Sequence, residues 1–314
     1  MKLILPGGGG HLGTLLAGAF HAQGHEVVVL SRKPAHDAPW RVVAWDGETL
    51  GAWAAELEGA DALVNLAGRS VNCRYTEANR EAIFNSRLKS TRVLGEAAAL
   101  AARPPRVWLQ SSTATIYAHR YDAANDEATG FLGGSEPNLP GTWRFSYAVA
   151  NAWEGVFNNL TLPRTRKVAM RTAIVLSPMR GQAFDILLML VRLGLGGRAG
   201  DGRQYMSWIH DRDFVRAVEW LIAREELFGP VNLASPNPLP NAEFMRVLRK
   251  AAHIPVGLPA EKWMIEIGSF FLRTESELVL KSRRVAPGKL LASGFVFDFP
   301  TWPEAAKDLV ARSR

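Results

Sequence analysis

A glycine run near the start of this 314-residue chain constrains its fold most strongly, in the order Gly7-Gly8-Gly9-Gly10-His11-Leu12-Gly13. Short apolar stretches flank it, at 3–5 before the run and at 15–20 and 26–30 after it. The order strand, glycine turn, helix, strand is typical of a βαβ unit that binds a dinucleotide. Glycines allow a tight turn, and a diphosphate can then lie on the free N–H groups of the helix N-terminus. We therefore expect Gly7, Gly10, His11, Leu12 and Gly13 to contact a cofactor.

The end of the second predicted strand indicates which dinucleotide is bound. An NAD site usually has Asp or Glu about twenty residues after the glycines, where it binds the ribose 2′-hydroxyl. This chain has Ser31-Arg32-Lys33 instead. A hydroxyl and two cations suit a 2′-phosphate, because guanidinium offers a planar fork of donors. We predict NADP(H), bound through Ser31 and Arg32; the alternative is that Arg32 and Lys33 are solvated charges at a strand end.

Composition limits the classes of partner. The net charge is +7 and the pI about 9.7, but the cations are scattered among acids and form no nucleic-acid-binding module. Such a surface suits small anionic ligands, so we expect a small-molecule substrate and no nucleic acid. One cysteine, Cys73, excludes an internal disulfide and a cysteine-rich metal site, and fits a reducing compartment.

No targeting or membrane segment is expected. The apolar stretch at the N-terminus is too short for a signal peptide. The most apolar segment, 186–195, contains Arg192 and is about half the length of a membrane span. We therefore expect a cytoplasmic protein.

Strands and helices alternate through the first half of the chain, which predicts an α/β fold of the Rossmann type, with a doubly wound parallel sheet. We expect residues 1–176 to form the cofactor-binding domain, with its sheet completed from 205–235. Residues 177–204 and 236–314 should form a smaller α/β region on the substrate side. Thr76 to Ala102 is predicted as a long helix, and Asp213 as the N-cap of a helix over 214–224.

A series of motifs carries a family resemblance along nearly the whole chain. They are Gly7-x-x-Gly10-x-x-Gly13, Asn65-Leu66-Ala67-Gly68, Asn85-Ser86-Arg87, Ser111-Ser112-Thr113-Ala114-Thr115-Ile116-Tyr117, Trp153-Glu154, Met170-Arg171-Thr172, Ser207-Trp208-Ile209-His210 and Arg284-Val285-Ala286-Pro287. With them, the chain resembles the extended, atypical short-chain dehydrogenase/reductases of the NAD-dependent epimerase/dehydratase superfamily. Within it, the chain is similar to a subgroup named as nucleoside-diphosphate-sugar epimerases, whose members have a C-terminal domain of unknown function.

The resemblance implies roles for further residues. It places Leu66, Ala67 and Gly68 along the adenosine and ribose of the cofactor and Ile174 and Val175 near the nicotinamide, with Ser111 as a further cofactor contact. It also places Thr113 where sugar epimerases have a catalytic Ser or Thr, whose hydroxyl binds a substrate oxygen. The alternative for Thr113 is a hydroxyl satisfied by the neighbouring backbone.

One departure from the family concerns acid–base chemistry. The superfamily uses Tyr-x-x-x-Lys on a helix, in which the ammonium lowers the pKa of the tyrosine. Here Tyr147 is present as the second candidate catalytic residue, but Asn151 stands in place of the lysine. Counting back from Trp153-Glu154, Ser146 is an alternative for the tyrosine position.

Polar residues of the second half are candidates for the substrate site. We expect Asn72, Arg203 and His210 to bind an anionic substrate, with Arg74, Arg87 and Trp143 as further candidates. Surface ion pairs are the alternative for the arginines, and a structural role the alternative for His210.

Two functions remain open from the sequence. The first is an NADP(H)-dependent oxidoreductase or epimerase-like enzyme that transfers a hydride to or from a small substrate. The second is an NADPH-binding sensor or scaffold without turnover, which the missing lysine favours. The sequence identifies neither the substrate nor the oligomeric state.

Overall fold

The structure, a computed structural model, describes residues 1–34, 37–271 and 275–313. Its strands, in chain order, are β1 Lys2–Pro6, β2 Glu26–Ser31, β3 Arg41–Ala44, β4 Ala62–Asn65, β5 Val107–Thr113, β6 Arg166–Thr172, β7 Ile174–Leu176, β8 Tyr205–Met206, β9 Trp208–His210, β10 Gly229–Leu233 and β11 Leu239–Pro240. The helices are α1 His11–Ala22, α2 Glu77–Leu100, α3 Gly141–Asn158, α4 Ala183–Arg192, α5 Asp211–Ala223, α6 Asn241–Ala251, α7 Lys262–Phe271, α8 Glu277–Leu280, α9 Gly288–Ala292 and α10 Trp302–Arg312. Short 3₁₀ turns cover Ala52–Leu57 and Ala114–Ile116.

Seven of the described strands form one parallel sheet in the order β10-β6-β5-β4-β1-β2-β3. The strand order runs outward from β1 in both directions, through β2 and β3 on one side and through β4, β5 and β6 on the other. This is the doubly wound, Rossmann-type fold that the sequence predicts. A ligand in such a sheet lies beyond the carboxyl ends of the strands, where the order reverses.

Both faces of the sheet are buried under helices. Side chains alternate along β1, so Leu3 and Leu5 pack with α1 and α5, whereas Ile4 packs with α2 and α3 on the opposite face. Strands covered on both faces read as continuous apolar runs, as expected for a parallel sheet. The two apolar layers fix the strand ends rigidly and thereby fix the loops that leave them.

A smaller region lies outside the main sheet. There β7 pairs with β9 and β8 pairs with β11, and a third apolar core joins α4, α6 and α10. The rings of Phe244 and Trp302 stack in it with centroids 4.0 Å apart. Of the stretch 205–235 that was expected to complete the sheet, only β10 does so, because 205–206 and 208–210 pair with β11 and β7 instead.

Two predicted helix starts have different outcomes. Helix α2 begins after Thr76, whose hydroxyl oxygen accepts the N–H of Asn79, as the sequence indicates. The prediction that Asp213 is an N-cap is wrong, because α5 begins earlier, at Asp211, and His210 caps it. The buried Asp213 carboxylate instead accepts the N–H groups of Asp298 and Phe299, and so joins α5 to the segment before α10.

The described helices include none that is long and apolar enough to cross a membrane. In the same part of the chain, no cluster of three or more His, Cys, Asp or Glu side chains could hold a metal ion.

Candidate functional site

The glycine turn lies at the carboxyl end of β1 and packs without room for side chains. Gly7 has a φ of 76°, and a Cβ there would lie 2.7 Å from the backbone of Ala67, which follows β4. A Cβ on Gly13 would lie 2.3 Å from the Cα of Gly8. Glycine is therefore required at both positions, at Gly7 by conformation and contact and at Gly13 by contact with the turn.

The start of α1 offers hydrogen-bond donors. Gly10 caps the helix without a side chain, and the first turn contains no acid. The first intrahelical N–H bond runs from Thr14 to the Gly10 carbonyl, so the N–H groups of His11, Leu12 and Gly13 have no acceptor among the described residues. Such N–H groups, together with the helix dipole, can hold a diphosphate.

His11 connects the glycine turn to the strand on the substrate side. Its Nε2 lies 2.6 Å from Oγ of Ser177, the residue after β7. Burial lowers the pKa of His11, so the ring favours its neutral form. The contact brings the segment with Ile174 and Val175 close to the start of α1. Val175 is buried in the core below the sheet, whereas Ile174 is half-buried.

A cavity of about 330 Å³ opens beside the end of β2. Three cations line it: Arg32 at the strand end, Arg69 after β4 and Lys89 on α2. Lys89 pairs with Glu48 at 2.8 Å and Arg69 donates to Asn79, while Arg32 is exposed and has no ion pair within the described ranges. The cavity thus offers an available guanidinium for an anionic group. Ser31, at the end of β2, is half-buried, and its Oγ accepts the N–H of Lys33.

The turn after β4 is held by buried polar groups. Asn65 Oδ1 accepts the N–H of Ala67 at 3.0 Å, and its amide donates to Gln110 on β5. Gly68 is exposed and lies against the Arg87 guanidinium, which donates to the carbonyl of Arg69. Burial lowers the pKa of Arg87 to about 10. Arg87, a candidate for the substrate pocket, therefore shapes the turn that leads to the cavity beside β2.

Thr113 is the last residue of β5, and its hydroxyl makes one hydrogen bond within the described residues. Its Oγ1 accepts the N–H of Thr115 at 3.1 Å, which starts the 3₁₀ turn. No acceptor for the hydroxyl hydrogen occurs in the described parts of the chain, and the residue is half-buried. The neighbouring backbone therefore satisfies the Thr113 hydroxyl only as an acceptor, and its hydrogen can still bind a ligand oxygen. Ser111, two residues earlier, is also half-buried.

Below Thr113, a buried ion pair fixes the ends of β5 and β6. Arg171 binds Glu154 of α3 through two hydrogen bonds, of 2.9 and 2.7 Å, and donates to the hydroxyl of Tyr117. Ser112 donates to the same carboxylate at 2.5 Å. The Glu154 carboxylate keeps the pKa of Arg171 above its usual value against the effect of burial. The planar, two-point contact gives the strand ends a defined geometry.

Tyr147 lies in an environment opposite to that of a Tyr-x-x-x-Lys pair. The residue is 1% exposed, and its hydroxyl donates to Oε1 of Glu136 at 3.0 Å. Burial and the Glu136 carboxylate raise the pKa of Tyr147 well above its usual value. Asn151 is exposed one turn further along α3. Ser146, the alternative, donates to Oε2 of Glu277 at 2.7 Å. Neither side chain is arranged as a base, so the structure gives no support to the predicted acid–base role of Tyr147.

The three predicted substrate residues are not brought together. Asn72 is exposed in a loop, and Arg203 is exposed with its guanidinium 5.6 Å from the ring of Tyr121. His210 is 0% exposed: its Nδ1 accepts the N–H of Arg212, its Nε2 lies 3.0 Å from Asp308, and its ring stacks on Phe299. The expectation of a ligand contact at His210 is therefore corrected, because Nδ1 caps α5 and Nε2 contacts Asp308 of α10.

Four residues that the sequence did not single out lie near Tyr147 and Thr115. Lys281 places Nζ 3.6 Å from the centroid of the Tyr147 ring, and Arg283 and Ser282 bind the segment after β5, which includes His119. The only signal in the sequence was the short basic run Lys281-Ser282-Arg283-Arg284, more than 130 residues from Tyr147. No spacing rule connects residues so far apart.

Comparison with known proteins agrees with this geometry. The NAD dependent epimerase/dehydratase family matches residues 3–138, which contain the glycine turn, the cavity beside β2 and Thr113. A domain of unknown function, DUF1731, matches residues 262–309, which contain the Lys281-Ser282-Arg283 segment.

Whole-length relatives cover both regions. The epimerase family protein SDR39U1 of Bos taurus is 31% identical over 315 residues, which cover 99% of this chain and all of the relative. The epimerase family protein YfhF of Bacillus subtilis is 29% identical and covers 99% of this chain and 98% of its own. The crystal structure of human SDR39U1 (isoform 2) with NADPH has a TM-score of 0.86 at 30% identity, and covers 99% of each chain.

Proposed function

Because this chain belongs to the NAD dependent epimerase/dehydratase family, we propose that it binds NADP(H) and transfers a hydride to or from a small carbonyl or alcohol substrate. The observation that carries the proposal is the exposed guanidinium of Arg32, which lines the cavity at the end of β2 and has no ion pair among the described residues. A cation after the second strand would bind the 2′-phosphate that distinguishes NADP(H) from NAD(H). Residues 31–33 contain no acid for a ribose 2′-hydroxyl, and the acids that line the same cavity, Glu48 and Glu81, lie further along the chain.

The residues present fit the rest of the cofactor. The cradle of Gly7 and Gly13 leaves no room for a Cβ, and the free N–H groups of His11 and Leu12 suit a diphosphate. Human SDR39U1, which resembles this chain over its whole length, was solved with NADPH. When bound, the cofactor supplies or accepts the hydride.

Thr113 is the residue that we assign to the substrate oxygen. Its Oγ1 accepts the Thr115 N–H, and its hydroxyl hydrogen, which has no acceptor in the described parts of the chain, is available to a substrate oxygen. A donor held in this way can stabilise the charge that develops on a carbonyl oxygen. The Tyr147 hydroxyl keeps its proton and donates a hydrogen bond to Glu136, so Tyr147 is a packed, neutral phenol. The exposed guanidinium of Arg203 supports an anionic substrate.

Cofactor affinity tests the proposal directly. In fluorescence titrations, Arg32→Ala should weaken NADPH binding about tenfold, equivalent to about 1.4 kcal/mol, and leave NADH binding within about twofold. Arg41→Ala, which removes an exposed cation on β3 that already pairs with Glu56, is the matched control and should change neither affinity by more than about twofold. Equal losses for both cofactors, or no loss for either, would contradict the assignment.

A binding protein without turnover is the second candidate, and the neutral Tyr147 is the observation that favours it. The two candidates differ in one measurement. An enzyme oxidises bound NADPH when a carbonyl compound is added, whereas a sensor binds NADPH and leaves its absorbance unchanged. The open hydroxyl of Thr113 favours the enzyme, since a sensor has no need of a donor at that position.

A further inference from the structure

Three consecutive residues of the C-terminal region bind the segment that follows β5. Lys281 Nζ donates to the carbonyl of Thr115 at 2.8 Å, and Arg283 Nε donates to its hydroxyl at 3.1 Å. Between them, the Ser282 N–H donates to Nδ1 of His119 at 2.8 Å. Each of the three residues therefore makes its own hydrogen bond to the chain just beyond Thr113.

Lys281 also places its amine against Tyr147, and burial and the neighbouring Arg283 lower the pKa of that amine to about 7. Its side chain is fully buried, with Nζ 3.6 Å from the centroid of the Tyr147 ring and 3.8 Å from Oε1 of Glu277. Helix α3 offers no cation at this point, because residue 151 is a neutral, exposed asparagine. In the family motif, a lysine one turn along the helix supplies the amine next to the tyrosine. Here Lys281 of the C-terminal region supplies that amine, and it contacts the face of the Tyr147 ring and not its hydroxyl.

Thr115 transmits the contact to Thr113. Both polar atoms of Thr115 that accept hydrogen bonds are held by the C-terminal cations, and its N–H is the group that occupies the Thr113 lone pair. A shift of the 281–283 segment would therefore break the bonds that hold the turn at Thr115, and the Thr113 hydroxyl would lose its fixed orientation.

Ser282 fixes the proton position on His119. Because Nδ1 accepts the Ser282 N–H, the neutral ring carries its proton on Nε2. The half-buried ring lies between Tyr121 and Trp143, with centroids at 5.0 and 4.8 Å. Burial, Lys281 and Arg283 lower the pKa of His119, while Glu136 and Asp201 act in the opposite direction. His119 is therefore a neutral donor through Nε2, set between aromatic rings.

We propose that Lys281-Ser282-Arg283 is the positioning element of the substrate side, and that it holds His119 as a neutral Nε2–H donor to the substrate oxygen. Lys281, Ser282 and Arg283 are positioning residues, and His119 touches the substrate. The rings of Tyr121 and Trp143, with Arg203 against Tyr121, fit a planar carbonyl compound that carries a negative charge. This inference rests on the proposed function.

The balance of the step is that of carbonyl reduction. The carbonyl carbon would receive a hydride from C4 of the dihydronicotinamide, whose C–H bond breaks as NADPH is oxidised to NADP⁺, and the π electrons of the carbonyl bond would move to its oxygen. The oxygen takes its proton from solvent water, and His119 stays neutral throughout. Its hydrogen bond stabilises the charge that develops on the oxygen.

The first test needs no substrate. In protein labelled with ¹⁵N-histidine, His119→Asn assigns the signal among the seven histidines. We expect the neutral Nε2–H tautomer at pH 7. Lys281→Met should raise the pKa of His119, because a neighbouring cation is lost, and Lys281→Arg should restore the wild-type titration. A proton on Nδ1, or a titration that Lys281→Met leaves unchanged, overturns the proposal.

The second test measures turnover with a stated probe, isatin-5-sulfonate, a planar and anionic carbonyl compound; neutral isatin is the matched probe. NADPH oxidation by His119→Asn should show a kcat about tenfold lower than wild type, with an unchanged Kd for NADPH. His253→Asn is the control, since His253 is exposed, lies in the loop after α6 and has a φ of 59° that asparagine accepts.

The outcomes separate the two proposals. If the wild-type protein does not bind NADPH, the proposed function is contradicted. NADPH binding without oxidation in the presence of isatin-5-sulfonate, or a wild-type kcat in His119→Asn, overturns the role of His119 and leaves the cofactor assignment standing. Equal kcat/KM for isatin and isatin-5-sulfonate overturns the anionic substrate class.

Discussion

The hydroxyl of Tyr147 donates to the carboxylate of Glu136 at 3.0 Å. Tyr147 lies on α3, and Asn151 of the same helix stands where the family motif has lysine. An adjacent carboxylate stabilises the protonated phenol, whereas an adjacent ammonium would stabilise the phenolate. We therefore assign Tyr147 a packing role. The groups that we propose to bind the substrate oxygen are Thr113 and His119.

Tyr147→Phe tests that assignment. We expect kcat to change by less than about threefold and its pH profile to keep its shape, because no titrating phenol takes part. The free energy of unfolding should fall by about 1 kcal/mol, since Glu136 loses a hydrogen bond. Urea unfolding and kcat against pH measure the two effects. A loss of activity of a hundredfold or more would restore Tyr147 as the catalytic acid.

Thr113→Val removes the donor that we assign to the substrate oxygen and keeps the side-chain shape. We expect kcat to fall about 10²-fold or more, in the range found for loss of one donor to a developing oxyanion. Thr113→Ser keeps the hydroxyl and should retain most of the activity. The Kd for NADPH, measured by fluorescence, should be unchanged in both variants. A similar kcat for valine and serine would show that the hydroxyl is not used.

Gly13→Ala and Gly18→Ala form a matched pair on α1. A Cβ on Gly13 meets the Gly8 backbone at 2.3 Å, whereas a Cβ on Gly18 has nothing within 4 Å. We expect Gly13→Ala to abolish measurable NADPH binding. Gly18→Ala should bind NADPH normally and gain about 0.5–1 kcal/mol of stability, from the helix propensity of alanine. Normal NADPH binding by Gly13→Ala would contradict the glycine cradle.

Arg171→Met tests the buried pair that holds β5 and β6. Removing one partner leaves the Glu154 carboxylate without its bidentate partner, so we expect a loss of about 3–5 kcal/mol in urea unfolding. The double variant Arg171→Met/Glu154→Leu removes both charges and should recover part of that loss. A single variant as stable as wild type would show that the pair is dispensable.

His210 predicts the sign of a pH effect on stability. Burial lowers the pKa of His210 in the folded protein, so below a pH of about 6.5 the unfolded chain binds a proton that the native protein does not. Stability should therefore fall as pH decreases from 7 to 5. His210→Asn keeps a residue that can cap α5 and should make this decrease shallower. An unaltered slope in the variant would exclude His210 as a contributor.

Local patterns predict the cofactor side of the molecule and much less of the substrate side. The glycine turn at 7–13 and the end of β2 at Ser31 lie close together in sequence, so the apolar periodicity between them and two strand ends locate both. His210 misled the prediction, because a polar residue between an extended stretch and a helix can equally face a ligand or cap the helix. Only its contacts with Asp308 and Phe299, about 90 residues later, decide between these roles.

The cation against Tyr147 was beyond sequence reasoning for a related reason. The motif predicts a lysine four residues along a helix, which is a local rule. Lys281 reaches the same ring through the tertiary fold, and its segment has neither the periodicity nor the spacing that identifies a site. The absence of the motif lysine from α3 therefore does not show that no lysine contacts Tyr147 in the folded protein.

The bonds from Lys281, Ser282 and Arg283 to Thr115 and His119 also bear on how such a protein can be recombined. Residues 262–309 match a domain family of their own, yet three of their residues share hydrogen bonds with the loop that leaves the central sheet. A chimera that takes this region from a relative keeps the bond from the backbone N–H of residue 282 to His119, and keeps the other two bonds only where lysine and arginine stand at 281 and 283. Substitutions at 281 and 283 are therefore expected to change the turn at Thr115, whereas a substitution at 282 leaves its N–H bond to His119 in place.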